Sequence, residues 1–201
     1  MKKNKNLLFF NKFLLIFALN QNQITMKTQK ILYVLNIITW IIFIGSCIKA
    51  GALTFAFIVT IVNPEGAKNL YEGLNLLELY HYNISSYHLM MSFIIFIACY
   101  KAYLCFLVIR IFGQLNLAAP FSESVMKLIT RISYSSLAIG ILLLIADSYG
   151  EGFIKKGVQL TNIYEFTGFG AEYLFFGGII FIIAQVFKRG IEIQSENELT
   201  I

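Results

Sequence analysis

Charge is scarce in this chain of 201 residues: Asp, Glu, Lys and Arg together make up 13% of it, against roughly a quarter in ordinary soluble domains. A soluble fold of this length has too small an interior to hide a composition that is 58% hydrophobic, which excludes the water-soluble classes. The chain also lacks the usual chemistry of an active site, with two histidines and a single aspartate, Asp147. His81 and His88 stand near Ser85 and Ser86, with Asp147 expected at a similar depth across the bundle, yet no nucleophile-elbow glycine pattern supports a triad. Seven residues separate the two histidines, two helical turns, too far for one metal ion without an intervening loop. Three cysteines, Cys47, Cys99 and Cys105, lie in apolar runs without ligand spacing, so neither a disulfide framework nor a zinc site is expected, and buried structural thiols are. No catalytic, cofactor-binding or metal-binding residues are therefore assigned, and the chain is not expected to be an enzyme.

What the sequence does hold is long uncharged runs. Ile31 to Ile48 carries no charge, and after Lys49 an uncharged stretch continues to Pro64. At about 1.5 Å per residue and a hydrocarbon core about 30 Å thick, residues 31–51 suffice for the first span. The remainder, to Val62, is expected to continue as helix beyond the membrane or fold back on it, ending at Asn63-Pro64. The other spans are expected over 87–111, 125–149 and 172–187, the last stopping at Lys188-Arg189-Gly190. Ser122 reads as the cap of the third, with Glu123 in its first turn. Between the third and fourth spans, residues 150–170 read as a short ordered loop with room for a brief hairpin. The fold class expected is an all-α, four-transmembrane-helix bundle with an extended first helix and small extracytoplasmic loops.

Lys and Arg set the orientation. Eleven flank the amino-terminal side of span one, the second connection and the carboxyl-terminal end, against three (Lys68, Lys155 and Lys156) in the other two loops. The net charge of +5 thus reads as topology, not nucleic-acid binding. Both termini are expected in the cytoplasm of a multi-pass cell-membrane protein. Residues 1–25, with a basic start and a short apolar run broken by Asn11 and Lys12, are set apart as an amino-terminal extension. Three readings stay open for it: a misassigned start with the true one at Met26, an interfacial helix, or a signal or fifth span. Residues 26–201 read as one four-helix membrane domain.

Candidate functional positions follow from what is costly in a bilayer. Lys49 and Lys101 are charges within spans, each costing about 2.5–3.5 kcal/mol at the bilayer centre on insertion scales. Lys49 is placed near the outer interface and Lys101 two to three turns from the cytoplasmic end, both within reach of snorkelling. Asp147 and Glu172 are expected in the outer layer as partners for Lys49. Ser133, Ser136 and Gly140 on the third span, with Gly177 and Gly178 on the fourth, read as packing positions that let helices approach closely; a substrate path is the sharper alternative. Gly168-Phe169-Gly170 before Glu172 has the look of a phosphate loop, but no strand precedes it, and helix entry explains it better.

Two motifs carry a family resemblance. Ala119-Pro120-Phe121 opens the third span, and the chain ends on the basic Lys188-Arg189-Gly190 step followed by Ile191-Glu192-Ile193-Gln194-Ser195-Glu196-Asn197-Glu198-Leu199-Thr200-Ile201. With the order of spans, residues 26–201 resemble the bacterial membrane proteins grouped as domain of unknown function 2975. The resemblance implies no activity or cofactor, but a neighbour, since such proteins are often encoded beside a small helix-turn-helix regulator of the Cro type. Relatives are expected to carry an acidic residue where this chain has Lys49. The tail residues Ile191, Glu192, Glu196, Glu198 and Leu199 are then a candidate docking point for that partner, against the blander reading of a solvated helix end. The expectation is a membrane sensor or regulatory partner in the lipid bilayer, without direct nucleic-acid binding; a small transporter or channel working as a homo-oligomer is the alternative.

Overall fold

The computed structural model describes residues 2–116 and 121–198, with side chains for 28–116 and 121–196. Its elements in order are α1 (Lys2–Val62), two 3-10 turns (Pro64–Lys68 and Tyr71–Gly73), α2 (Leu77–Tyr82), α3 (Ile84–Gln114), α4 (Glu123–Ile154), α5 (Tyr164–Thr167) and α6 (Gly170–Glu198). Among the described residues four helices are long and apolar enough to cross a membrane: Thr28–Val62, Ile84–Gln114, Glu123–Ile154 and Tyr164–Glu196. The readings left open for residues 1–25 concern side chains outside the described ones.

Local chemistry sets the helix ends. α1 passes through 52–62 without a break and stops at Asn63, whose extended backbone precedes Pro64 and whose side chain accepts from the Glu65 amide at 3.2 Å. Ser122 Oγ accepts from the Val125 amide at 3.4 Å, capping α4 with Glu123 in its first turn. Ala119 and Pro120 lie outside the described residues.

The long helices pack in the order α1, α3, α4, α6, with α4 on α6 the most extensive pair, and α1 makes at most marginal contact with α6. The expected bundle is therefore open: a row of four in place of a closed ring. The reason is visible in α1, where the protected positions recur every three or four residues, from Leu32 through Asn36, Thr39 and Phe43 to Leu53 and Thr60. That spacing is a single coiled-coil-like seam, enough for one neighbour, α3. The rest of α1 leaves Trp40, Ile41, Ile48 and Phe55 exposed, an apolar surface suited to lipid. Cys47 and Cys99 lie on such exposed faces and Cys105 is half-buried, so the expectation of three buried structural thiols is not met.

The largest core sits at the end of the row where the inter-span loops meet, here called the capped end. Leu53, Leu74, Leu76, Leu79, Tyr87 and Met90 are fully buried there. The loop expected within 150–170 pairs with the other loop and not with itself: Asn75 and Thr161 exchange backbone hydrogen bonds of 3.3 and 3.2 Å in one antiparallel bridge. Glu78 reinforces the junction by accepting from the Gln159 amide at 2.7 Å. The two loops thus satisfy each other's backbone groups, which lets apolar side chains close beneath them. The opposite end carries Arg110, Lys127, Arg131, Lys188 and Arg189 and is called the basic end.

Candidate functional site

Lys49 and Lys101 come together. The seam between α1 and α3 places Ser46 Oγ 4.0 Å from Cys105 Sγ. Because the two helices run antiparallel, one turn toward the capped end from that contact is Lys49 on α1 and Lys101 on α3. Both line one cleft of about 100 Å³, closed on its other sides by Leu53, Ile94, Glu165 and Phe166. That volume accommodates a few water molecules or a small anion. The sequence reading put the two lysines at different depths, counting each from its own span end; the offset of α1 against α3 removes the difference.

The ion pairing also differs from expectation. Lys49 Nζ lies 2.6 Å from Glu72 Oε2, not beside Asp147 or Glu172, and it stands 4.6 Å from the centroid of the Phe166 ring. A favourable ring face and a carboxylate together hold the ammonium in place. Glu72 itself has a left-handed backbone (φ 54) followed by Gly73 at φ 74. A non-glycine residue in that region costs on the order of 1 kcal/mol, and such strain collects where a side chain is being aimed. Lys101 Nζ lies over the Tyr173 ring at 5.1 Å, and no carboxylate stands within ion-pair distance of it among the described residues. The cleft therefore combines one paired ammonium, one ammonium beyond ion-pair distance of any carboxylate among the described residues, and the Glu165 carboxylate.

Asp147 is used elsewhere: Thr167 Oγ1 donates to its Oδ1 at 3.2 Å, tying α5 to α4. Glu172 is exposed in the first turn of α6, where a carboxylate complements the helix dipole. His88 packs edge-on against Phe57 with ring centroids 5.6 Å apart, and no hydrogen bond links either histidine to Ser85, Ser86 or Asp147 among the described residues. No three His, Cys, Asp or Glu side chains converge on one point among the described residues.

The α4–α6 seam is built from small residues. Ser133 Oγ donates to the Gly177 carbonyl at 2.9 Å and Ser136 Oγ to the Tyr173 carbonyl at 2.8 Å. A β-carbon on Gly140 would fall 2.9 Å from the Gly170 carbonyl oxygen, so the two backbones touch there directly. Gly177 is equally confined, 2.8 Å from the Leu137 side chain by the same measure, whereas Gly178 faces open space. Toward the basic end, Arg189 bonds Glu192 at 3.0 Å and approaches Glu196 at 3.8 Å. Ile191 is half-buried; the Glu198 side chain and Leu199 lie outside what is described.

Sequence reasoning missed Glu72, Glu165 and Phe166, all on loops or a short helix, because periodicity carries no information about where a connection folds back. Gly73 was the available signal, since a glycine in a short loop supplies the positive φ that a turn uses.

These features define a multi-pass helical membrane protein with a loop cap at one end and a two-lysine cleft beneath it. The chain belongs to the family described as protein of unknown function (DUF2975), whose model matches residues 62–201. That match begins where α1 ends, so it covers Lys101, α4 and the α6 tail but not Lys49, and the acidic residue expected at that position in relatives stays outside the comparison. No curated protein and no solved structure matches the chain.

Proposed function

We propose that this protein is a non-enzymatic membrane sensor: the two-lysine cleft responds to an anion or to its own ion pair, and α6 carries the change to a regulatory partner. The observation that carries this reading is the continuity of α6. It starts at Gly170, four residues beyond cleft-lining Phe166, and runs unbroken to Glu198, about 43 Å of helix. Movement at one end of such a rod reaches the other as a rigid-body shift. The count of eleven cations against three supports a cytoplasmic basic end, with both termini inside a bacterial cytoplasmic membrane.

The partner proposed is the small helix-turn-helix regulator. The acidic tail of Glu192, Glu196 and Glu198 suits the basic surface of a DNA-binding protein and repels nucleic acid itself. The test is to purify the tagged full chain in mild detergent from its native host and probe for the regulator, beside a chain truncated after Gly190. Retention by the full chain alone, with altered transcription from the regulator's promoter on truncation, supports the reading. No retained regulator and unchanged transcription overturn it.

One observation favours a second reading, a small oligomeric transporter or channel: two ammonium groups face one cleft between membrane-crossing helices. Anion flux into reconstituted vesicles that falls with Lys101→Met would favour it over the sensor, and flux that ignores both lysines would remove it.

A further inference from the structure

A second cavity, larger than the two-lysine cleft, is a groove of about 870 Å³ between α3 and α4 at the basic end. From Ser124 to Ser135 it follows α4 for about 16 Å. Its charged side chains are Arg110 from α3 with Lys127 and Arg131 from α4, and no Asp or Glu lines it. Lys127 is paired at 2.7 Å with Glu123, but neither arginine has a carboxylate within ion-pair distance among the described residues. Gln114, Ser124 and Thr130 add hydrogen-bonding groups around these cations. Farther from the basic end the lining turns to Tyr100, Tyr103 and Tyr134, and Tyr134 is 58% exposed.

We propose that this groove binds the phosphate headgroup of an anionic phospholipid, with an acyl chain lying along the tyrosine faces. Three points select this occupant. Guanidinium groups without a counter-charge want an anion, and the planar fork matches phosphate oxygens in bidentate fashion. The groove opens sideways between two membrane-crossing helices, where the molecules at hand are lipids. Its polarity grades from cationic to aromatic in the direction from headgroup to acyl chain, and basic pockets between membrane helices recognise anionic headgroups in this way. Nothing in the proposal depends on the sensor reading or on which side of the membrane the basic end faces.

The test uses the full chain reconstituted in phosphatidylcholine bilayers, with spin-labelled phosphatidylglycerol or spin-labelled phosphatidylcholine as the probe and the motionally restricted fraction as the readout. The wild-type chain restricts the anionic lipid in preference to the zwitterionic one. Arg110→Gln with Arg131→Gln removes that preference, each cation counting for on the order of fivefold, while Lys155→Gln with Lys156→Gln at the capped end leaves it intact. Equal restriction of both lipids by the wild-type chain, or an undiminished preference in the double arginine variant, overturns the proposal. Inorganic phosphate that abolishes the preference at millimolar concentration also overturns it, assigning the groove to a soluble anion. A measurement on the wild-type chain guards against a misfolded variant. Phosphatidylglycerol with a photoreactive headgroup labels peptides holding Arg110 to Gln114 and Ser124 to Ser135; labelling confined to other helices counts against the site.

Discussion

The ring of Phe121 rests against the backbone of Gly190, so close that a β-carbon on the glycine would lie 2.6 Å from Cδ1 of the ring. Phe187, one turn earlier on α6, meets the same ring with centroids 5.3 Å apart. Phe121, just before α4, and Phe187 and Gly190 of α6, far apart in the chain, thus form one contact that joins these helices at the basic end. Gly190→Leu is expected to force the ring away and destabilise the protein by about 1–3 kcal/mol, the usual cost of overpacking. Thermal unfolding in detergent of Gly190→Leu against Gly190→Leu with Phe121→Ala checks it; the second change should restore part of the loss.

Two glycines of the α4–α6 region are expected to behave oppositely. Gly140→Ala places a methyl group 2.8 Å from Leu174 Cγ and 2.9 Å from a carbonyl oxygen that belongs to a helix backbone. The helices must part, at about 1–3 kcal/mol. Gly178→Ala meets nothing within 4 Å and should be neutral or stabilising by up to about 1 kcal/mol, since alanine is the better helix former. Equal unfolding midpoints for the two variants would contradict the seam described here.

Ser133→Ala and Ser136→Ala each remove one hydrogen bond to the α6 backbone, at 2.9 and 2.8 Å respectively. Each is expected to cost about 0.6–1.5 kcal/mol, the range for interhelical bonds in membrane proteins. Reversible unfolding in mixed micelles reads the difference.

The Lys49–Glu72 pair is 35% and 45% exposed at its side chains, so its coupling is screened and expected at about 0.5–1 kcal/mol. A double-mutant cycle of Lys49→Ala and Glu72→Ala measures it. Glu72→Asn separates two effects: it keeps a residue that tolerates the left-handed backbone while deleting the charge. Additive losses in the cycle would show that the two side chains do not act together.

Orientation is open to a direct check. In a chain whose Cys47, Cys99 and Cys105 are replaced by serine, Lys155→Cys at the capped end should react with an impermeant maleimide on intact cells. Lys127→Cys at the basic end should react only after permeabilisation. The reverse pattern would invert the topology derived from the distribution of Lys and Arg.

The sequence alone determined that four long helices form and where several of them stop. Lengths of uncharged chain decide a membrane crossing, and Asn63-Pro64 and Ser122 act on their own backbone neighbours. It also carried the family in two short motifs. Only the tertiary structure decided the partners. A helical period says which residues share a face but not which helix that face meets, so the open row and the confinement of Gly140 and Gly177 but not Gly178 were out of reach. The offset between antiparallel helices, set by packing along the α1–α3 seam, brought Lys49 level with Lys101. The return of two loops upon each other, set by backbone pairing at Asn75 and Thr161, completed the cap from which Glu72 reaches Lys49.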